Sequence, residues 1–109
     1  MRNSAPTRVL EFAAEDRARD LVVRAFKLRR RGEHRRATLT LREACGLDHR
    51  NAAHWMIYGS YLATLGRRDD AEHAMKQSLY LREREGAKAK AKVVRGQLLR
   101  LARAASSQR

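Results

Sequence analysis

A chain of 109 residues has room for one packed domain and too little length for two sizeable cores. Lys and Arg number 25 against 12 Asp and Glu, a formal net charge of +13, so the field should attract acidic proteins, nucleic acid or an anionic surface. The single cysteine, Cys45, excludes an intramolecular disulfide and a cysteine-based metal cluster and favours a reducing, cytoplasmic setting, and no apolar run approaches the roughly 20 residues of a membrane span.

Residues 1–17 are expected to form a partly helical N-terminal segment, whose start lacks the continuous apolar stretch of a secretory signal. From Ala18 to Arg31 the residues Leu21, Ala25 and Leu28 recur at steps of four and three, the spacing of one helix face, and Gly32 supplies a helix stop. A second helix follows with Ala37, Leu41 and Ala44 on one stripe, ending near "CGLDHRN". The pattern then restarts: Trp55, Gly59 and Leu62 form a stripe, Gly66 a stop, and Ala71, Met75 and Ser78 a further stripe. Residues 86–105 read as a terminal helix, with Val94, Leu98 and Leu101 covering the edge of what precedes it, and 106–109 as a disordered tail. Strand signals are missing throughout.

The restart has a constant offset, because 59 − 25, 62 − 28, 66 − 32 and 71 − 37 all equal 34. A period of 34 built from two helices, carrying Trp, small, Leu, Gly and Ala positions in that order, resembles the tetratricopeptide repeat (TPR) family. Residues 52–85 resemble one nearly complete repeat and 18–51 a weaker one, in which Leu21 replaces the usual Trp; Met75 replaces an aromatic, and His49 and Glu83 stand where proline is common. The resemblance implies an all-α fold, antiparallel helix pairs stacked as a short TPR-like α-solenoid, with the small residues Ala25, Gly59, Ala37 and Ala71 where two helices approach closely. Two repeats are fewer than the three that usually bury a continuous core, so self-association or stabilisation by a partner is expected.

No catalytic motif accompanies this architecture, and neither enzymatic activity nor a cofactor is expected. His34, His49, His54 and His73 lack metal-ligand spacing and read as solvated. Cys45 reads as a core thiol. Asp69 and Asp70, adjacent carboxylates, fit the first turn of a helix, where the helix dipole favours negative charge.

Function therefore has to come from surfaces. The resemblance implies that the first helices of successive pairs line a peptide-binding groove. The stripe Arg19, Val22, Phe26 and Arg29 on one helix and Met56, Ser60 and Ala63 on the next would give it an apolar floor at Val22, Phe26 and Met56 with arginines at its end. Such a groove suits an acidic amphipathic segment, making the chain a protein–protein adaptor. The carboxylate clamp of chaperone-binding repeats is absent, since Val22, Phe26, Ile57 and Ala91 stand near the places where Lys, Asn and Arg are needed. The alternative is nucleic-acid binding through Arg24, Lys27, Arg29, Arg30, Arg31, Arg35 and Arg36, faced by Glu33 alone. Twenty of the 25 cations are arginine (25 − 5 lysines), whose planar fork suits carboxylate and phosphate equally.

Overall fold

Residues 5–107 are described by the computed structural model, and every regular element among them is a helix: α1 (Ala5–Arg30), α2 (His34–Leu47), α3 (Ala52–Thr64), α4 (Arg68–Arg84) and α5 (Lys88–Ser107). They divide into two units, α1 with α2 as far as His49, and α3 to α5 from Arg50 onward.

Three of the four connections share one construction. Gly32, Gly66 and Gly86 have φ of 77°, 78° and 71°, the left-handed region that glycine enters without a Cβ clash. Around Gly32 the Glu33 N–H donates to Leu28 O at 2.9 Å and the Gly32 N–H to Arg29 O at 3.0 Å, the paired bonds of a Schellman helix ending. Around Gly66 the same bonds run from Arg67 to Leu62 and from Gly66 to Ala63, both 3.0 Å. Around Gly86 they run from Ala87 to Arg82 at 2.9 Å and from Gly86 to Glu83 at 3.1 Å. The next helix then starts at once, its first bonds made by the N–H groups of Ala37, Ala71 and Ala91 to the carbonyls of Glu33, Arg67 and Ala87. Each of these alanines lies five residues after its glycine and is buried. The fourth connection differs: the Asn51 side chain caps α3, accepting from the N–H groups of Ala53 at 3.1 Å and His54 at 3.2 Å.

In the first unit, α1 buries Ala18, Leu21, Val22, Ala25 and Leu28, and α2 buries Ala37, Thr38, Leu41, Ala44 and Cys45. Alanine at 18, 25, 37 and 44 keeps the facing backbones close. The Thr38 hydroxyl, which a buried face must satisfy, donates back to His34 O at 2.8 Å. The helix expected from Ala18 begins at Ala5 instead: nothing between Glu11 and Arg17 interrupts a helix, and Pro6 lies in the first turn, where its missing N–H costs nothing. Arg17 meets Glu43 at 3.5 Å, close to the end of α2. The 26-residue α1 therefore outruns the 14-residue α2, leaving Leu10 and Phe12 exposed on the projecting turns. Residues 1–4 of the expected N-terminal segment lie outside the described residues.

In the second unit, α3 and α4 approach most closely at Gly59. A Cβ there would come within 3.0 Å of Met75 Cγ and 3.2 Å of both Ala71 O and Ala74 Cβ. Leu62, Ala71, Met75 and Ser78 fill the same seam, and the Ser78 hydroxyl donates to Ala52 O at 2.8 Å, joining the start of α3 to α4. On α5, Ala91 and Val94 are buried, whereas Leu98 and Leu101 are half-buried beside two clefts of about 510 and 430 Å³. The helix continues through Ser107, past the expected end at 105, and residues 108–109 of the expected tail lie outside the described residues.

Gly59→Leu should cost about 1–3 kcal/mol or more, because the Ala71 carbonyl cannot rotate away as the Met75 side chain can. Gly96→Ala, in mid-helix with nothing within 4 Å of the added Cβ, should instead gain about 0.5–1 kcal/mol. Denaturant melts of the two variants should move in opposite directions.

Candidate functional site

On α1 the stripe foreseen for the groove comprises side chains of unequal exposure. Val22 is 6% exposed and belongs to the core, so it offers a ligand little surface; Phe26, one turn on, is 40% exposed and carries the apolar character of the stripe. Arg19 and Arg29 are exposed, and Arg19 is engaged with Asp16, three residues earlier on the same helix. Met56, Ser60 and Ala63 lie on α3, in the second unit, and all are half-buried. Ala63 lines the 430 Å³ cleft with Gly66, Arg68, Met75, Gln97 and Leu101. That cleft follows from the way α5 packs, which no spacing in the sequence specifies.

Two aromatic and one histidine placement concern the same helix. Trp55 and Tyr58 are half-buried and meet at a ring-centroid distance of 6.4 Å, tilted by 56°. His54, expected to be solvated, is buried at 6% exposure, along with Tyr61 at 3%. The two are seven residues apart, hence on one side of α3, roughly 120° round from the side formed by Gly59 and Leu62. The step of seven was the available signal, masked by the polarity of histidine. His34, His49 and His73 are exposed as expected, and among the described residues no three His, Cys, Asp or Glu gather to hold a metal.

The basic cluster is exposed at every member: Arg24, Lys27, Arg29, Arg30, Arg31, Arg35 and Arg36. Comparison of the three glycine corners shows what is peculiar to it. Residues 24–36 hold seven cations and one carboxylate, the counterpart 58–70 holds two of each, and 78–90, aligned on Gly86, holds four cations and two carboxylates. At the second corner Arg67 pairs with Asp70 at 2.6 Å; at the third Arg82 pairs with Glu85 at 3.4 Å, and Glu83 with Arg95 at 3.0 Å. At the first, Glu33 takes Arg36 at 2.7 Å. Among the described residues, no carboxylate comes within ion-pair distance of Arg24, Lys27, Arg30, Arg31 or Arg35. Asp69 and Asp70 occupy the first turn of α4, as foreseen, and favour its positive end; the positions 34 residues earlier are Arg35 and Arg36, in the first turn of α2, where the dipole opposes them.

Cys45 is buried at 1% exposure. Burial, with a smaller contribution from the charge of Asp48, pushes its thiol up from 9.0 to about 12. It is a packing residue with little thiolate at neutral pH. No family model matches the chain, and no curated protein matches it.

Cys45 should resist alkylation in the native protein at pH 8 and react once the chain is unfolded, as mass spectrometry of iodoacetamide-treated samples would register. Because the folded state holds this proton more tightly than the unfolded chain, its contribution to stability is intact below pH 9 and declines as pH rises from 9.0 toward about 12. Cys45→Ala should flatten that part of the stability profile.

Proposed function

We propose that the chain is a non-catalytic protein–protein interaction module, a cytoplasmic adaptor of the TPR-like α-solenoid kind, that binds an acidic amphipathic segment. The repeated construction at Gly32 and Gly66, with glycine, the Leu that accepts the closing bond and the buried Ala all displaced by 34 residues, supports the repeat reading. The tight seam at Gly59 supports it as well, since small residues there are what a helix pair of this family requires.

The binding reading rests on Phe26, a large aromatic left 40% exposed on α1 between Arg19 and Arg29. An apolar side chain framed by cations complements a helix with an apolar stripe and acidic flanks: the ring supplies area to bury, and the guanidinium groups select the charge. Short-range apolar contact controls dissociation, whereas the basic field mainly accelerates encounter.

A labelled synthetic helix carrying Leu on one face and Glu on its flanks tests this by fluorescence anisotropy. Phe26→Ala should weaken binding by roughly 2 kcal/mol, about thirtyfold. Arg35→Glu with Arg36→Glu should slow association and leave dissociation nearly unchanged. Undiminished affinity of the Phe26→Ala protein would remove the reading's support.

A further inference from the structure

From the uncompensated charge at the first corner we infer that Arg24, Lys27, Arg30, Arg31 and Arg35 form a second docking surface, for the phosphate backbone of a nucleic-acid duplex. Arg24 and Lys27 stand three residues apart on one side of α1, with Arg30 ending the helix, Arg31 in the turn just beyond it and Arg35 in the first turn of α2. The stripe containing Phe26 is centred roughly 150° round the same helix from Arg24 and Lys27, and Arg30, one turn after Phe26, stands between the two.

Three observations favour phosphates as the occupant. The first is charge complementarity: five exposed cations here have no carboxylate partner among the described residues, whereas the other two corners of the same backbone construction are interlaced with ion pairs. Like charges so gathered repel one another, and a polyanion relieves that repulsion while releasing its own counterions. The second is spacing. From Arg24 to Arg30 the helix advances about 9 Å, the axial run of about three phosphates on one duplex strand.

The third is what the surface lacks. Val23 is the exposed large apolar side chain on the side of Arg24 and Lys27; the exposed ring of Phe26 lies about 130° round the helix from that side, and Leu39 is exposed one turn beyond Arg35. On the side of Arg24 and Lys27 an acidic protein would find little area to bury, and unpaired bases no ring to stack upon. A duplex, with its bases turned inward and phosphates outward, needs neither. Binding of this kind carries no base contacts and is therefore independent of sequence.

The test uses the full chain, a generic DNA duplex, the corresponding single strand, and polyglutamate as an acidic-polypeptide competitor, with binding followed across a salt series. Arg30→Ala, Arg31→Ala and Arg35→Ala together should lower the slope of log K against log salt by about 0.9 per lost contact, about 2.7 in all. The control, Lys88→Ala with Lys90→Ala and Lys92→Ala, removes the same charge from exposed positions on α5 and should leave most of the slope intact. Circular dichroism checks that both remain folded; if the first variant melts early, Lys27→Gln with Arg35→Gln repeats the measurement with side chains of similar length. Selective loss in the corner variants, with the duplex preferred to the single strand, supports the surface. Equal losses in corner and control variants, tighter binding of the single strand, or displacement of the duplex by an equal charge of polyglutamate would each overturn it.

Discussion

The five-residue step from a left-handed glycine to a buried alanine is the constraint on which the helix pairs depend. Closing the first helix through an N–H five residues beyond its acceptor satisfies carbonyls that would otherwise end in water. It also reverses the chain in three residues and starts the next helix with its small side chain already facing inward. Alanine at 37, 71 and 91 then lets the second helix approach closely, and the larger side chains further along, Leu41, Met75 and Val94, fill the space as the contact extends. A bulky residue at the alanine position would act on two structures together, since it would pry apart the helix pair and strain the turn beside it.

What was legible in the sequence was this corner, because its ingredients are chemically extreme. Glycine alone tolerates the positive φ without cost, and alanine is the smallest side chain that keeps a helix, so both leave a visible imprint at 32 and 37, then at 66 and 71. The corner at Gly86 carries no such repeated imprint, and the terminal helix is expected from residue 86 itself. It lies 20 residues after Gly66 and so falls outside the 34-residue period, although its hydrogen bonds are those of the other two. The N-terminal segment, expected to be partly helical, is continuous with the helix expected from Ala18. Alanine, glutamate and arginine are good helix formers whether or not a neighbouring helix covers them, and a buried stripe is visible only where such covering begins. His54 escaped because a histidine's polarity does not announce burial.

On the candidate surfaces the division is similar. The basic cluster stood out by composition, yet its contrast with the other corners is a matter of pairing, and pairing depends on which carboxylates the backbone brings within reach. Asp69 and Asp70 against Arg35 and Arg36 show how one backbone construction can carry opposite charge at the same helix start. Since exposed ion pairs contribute little stability, these positions are free to vary with what the surface must attract. The apolar stripe was less legible: Val22 and Phe26 are neighbours on one face, and only packing against α2 decides that the first is core and the second surface.

The three-residue corners also govern how the chain acquires its structure. Every extensive helix contact joins elements that are consecutive in the sequence, α1 with α2, α3 with α4 and α4 with α5. Closing so short a loop sacrifices little chain entropy, and no distant segment is needed before a hairpin can form. During synthesis α2 can dock on α1 while α5 is still unmade, so the hairpins can assemble in the order of translation. Folding should be fast, with each newly formed hairpin shielding its apolar side chains before later parts of the chain appear.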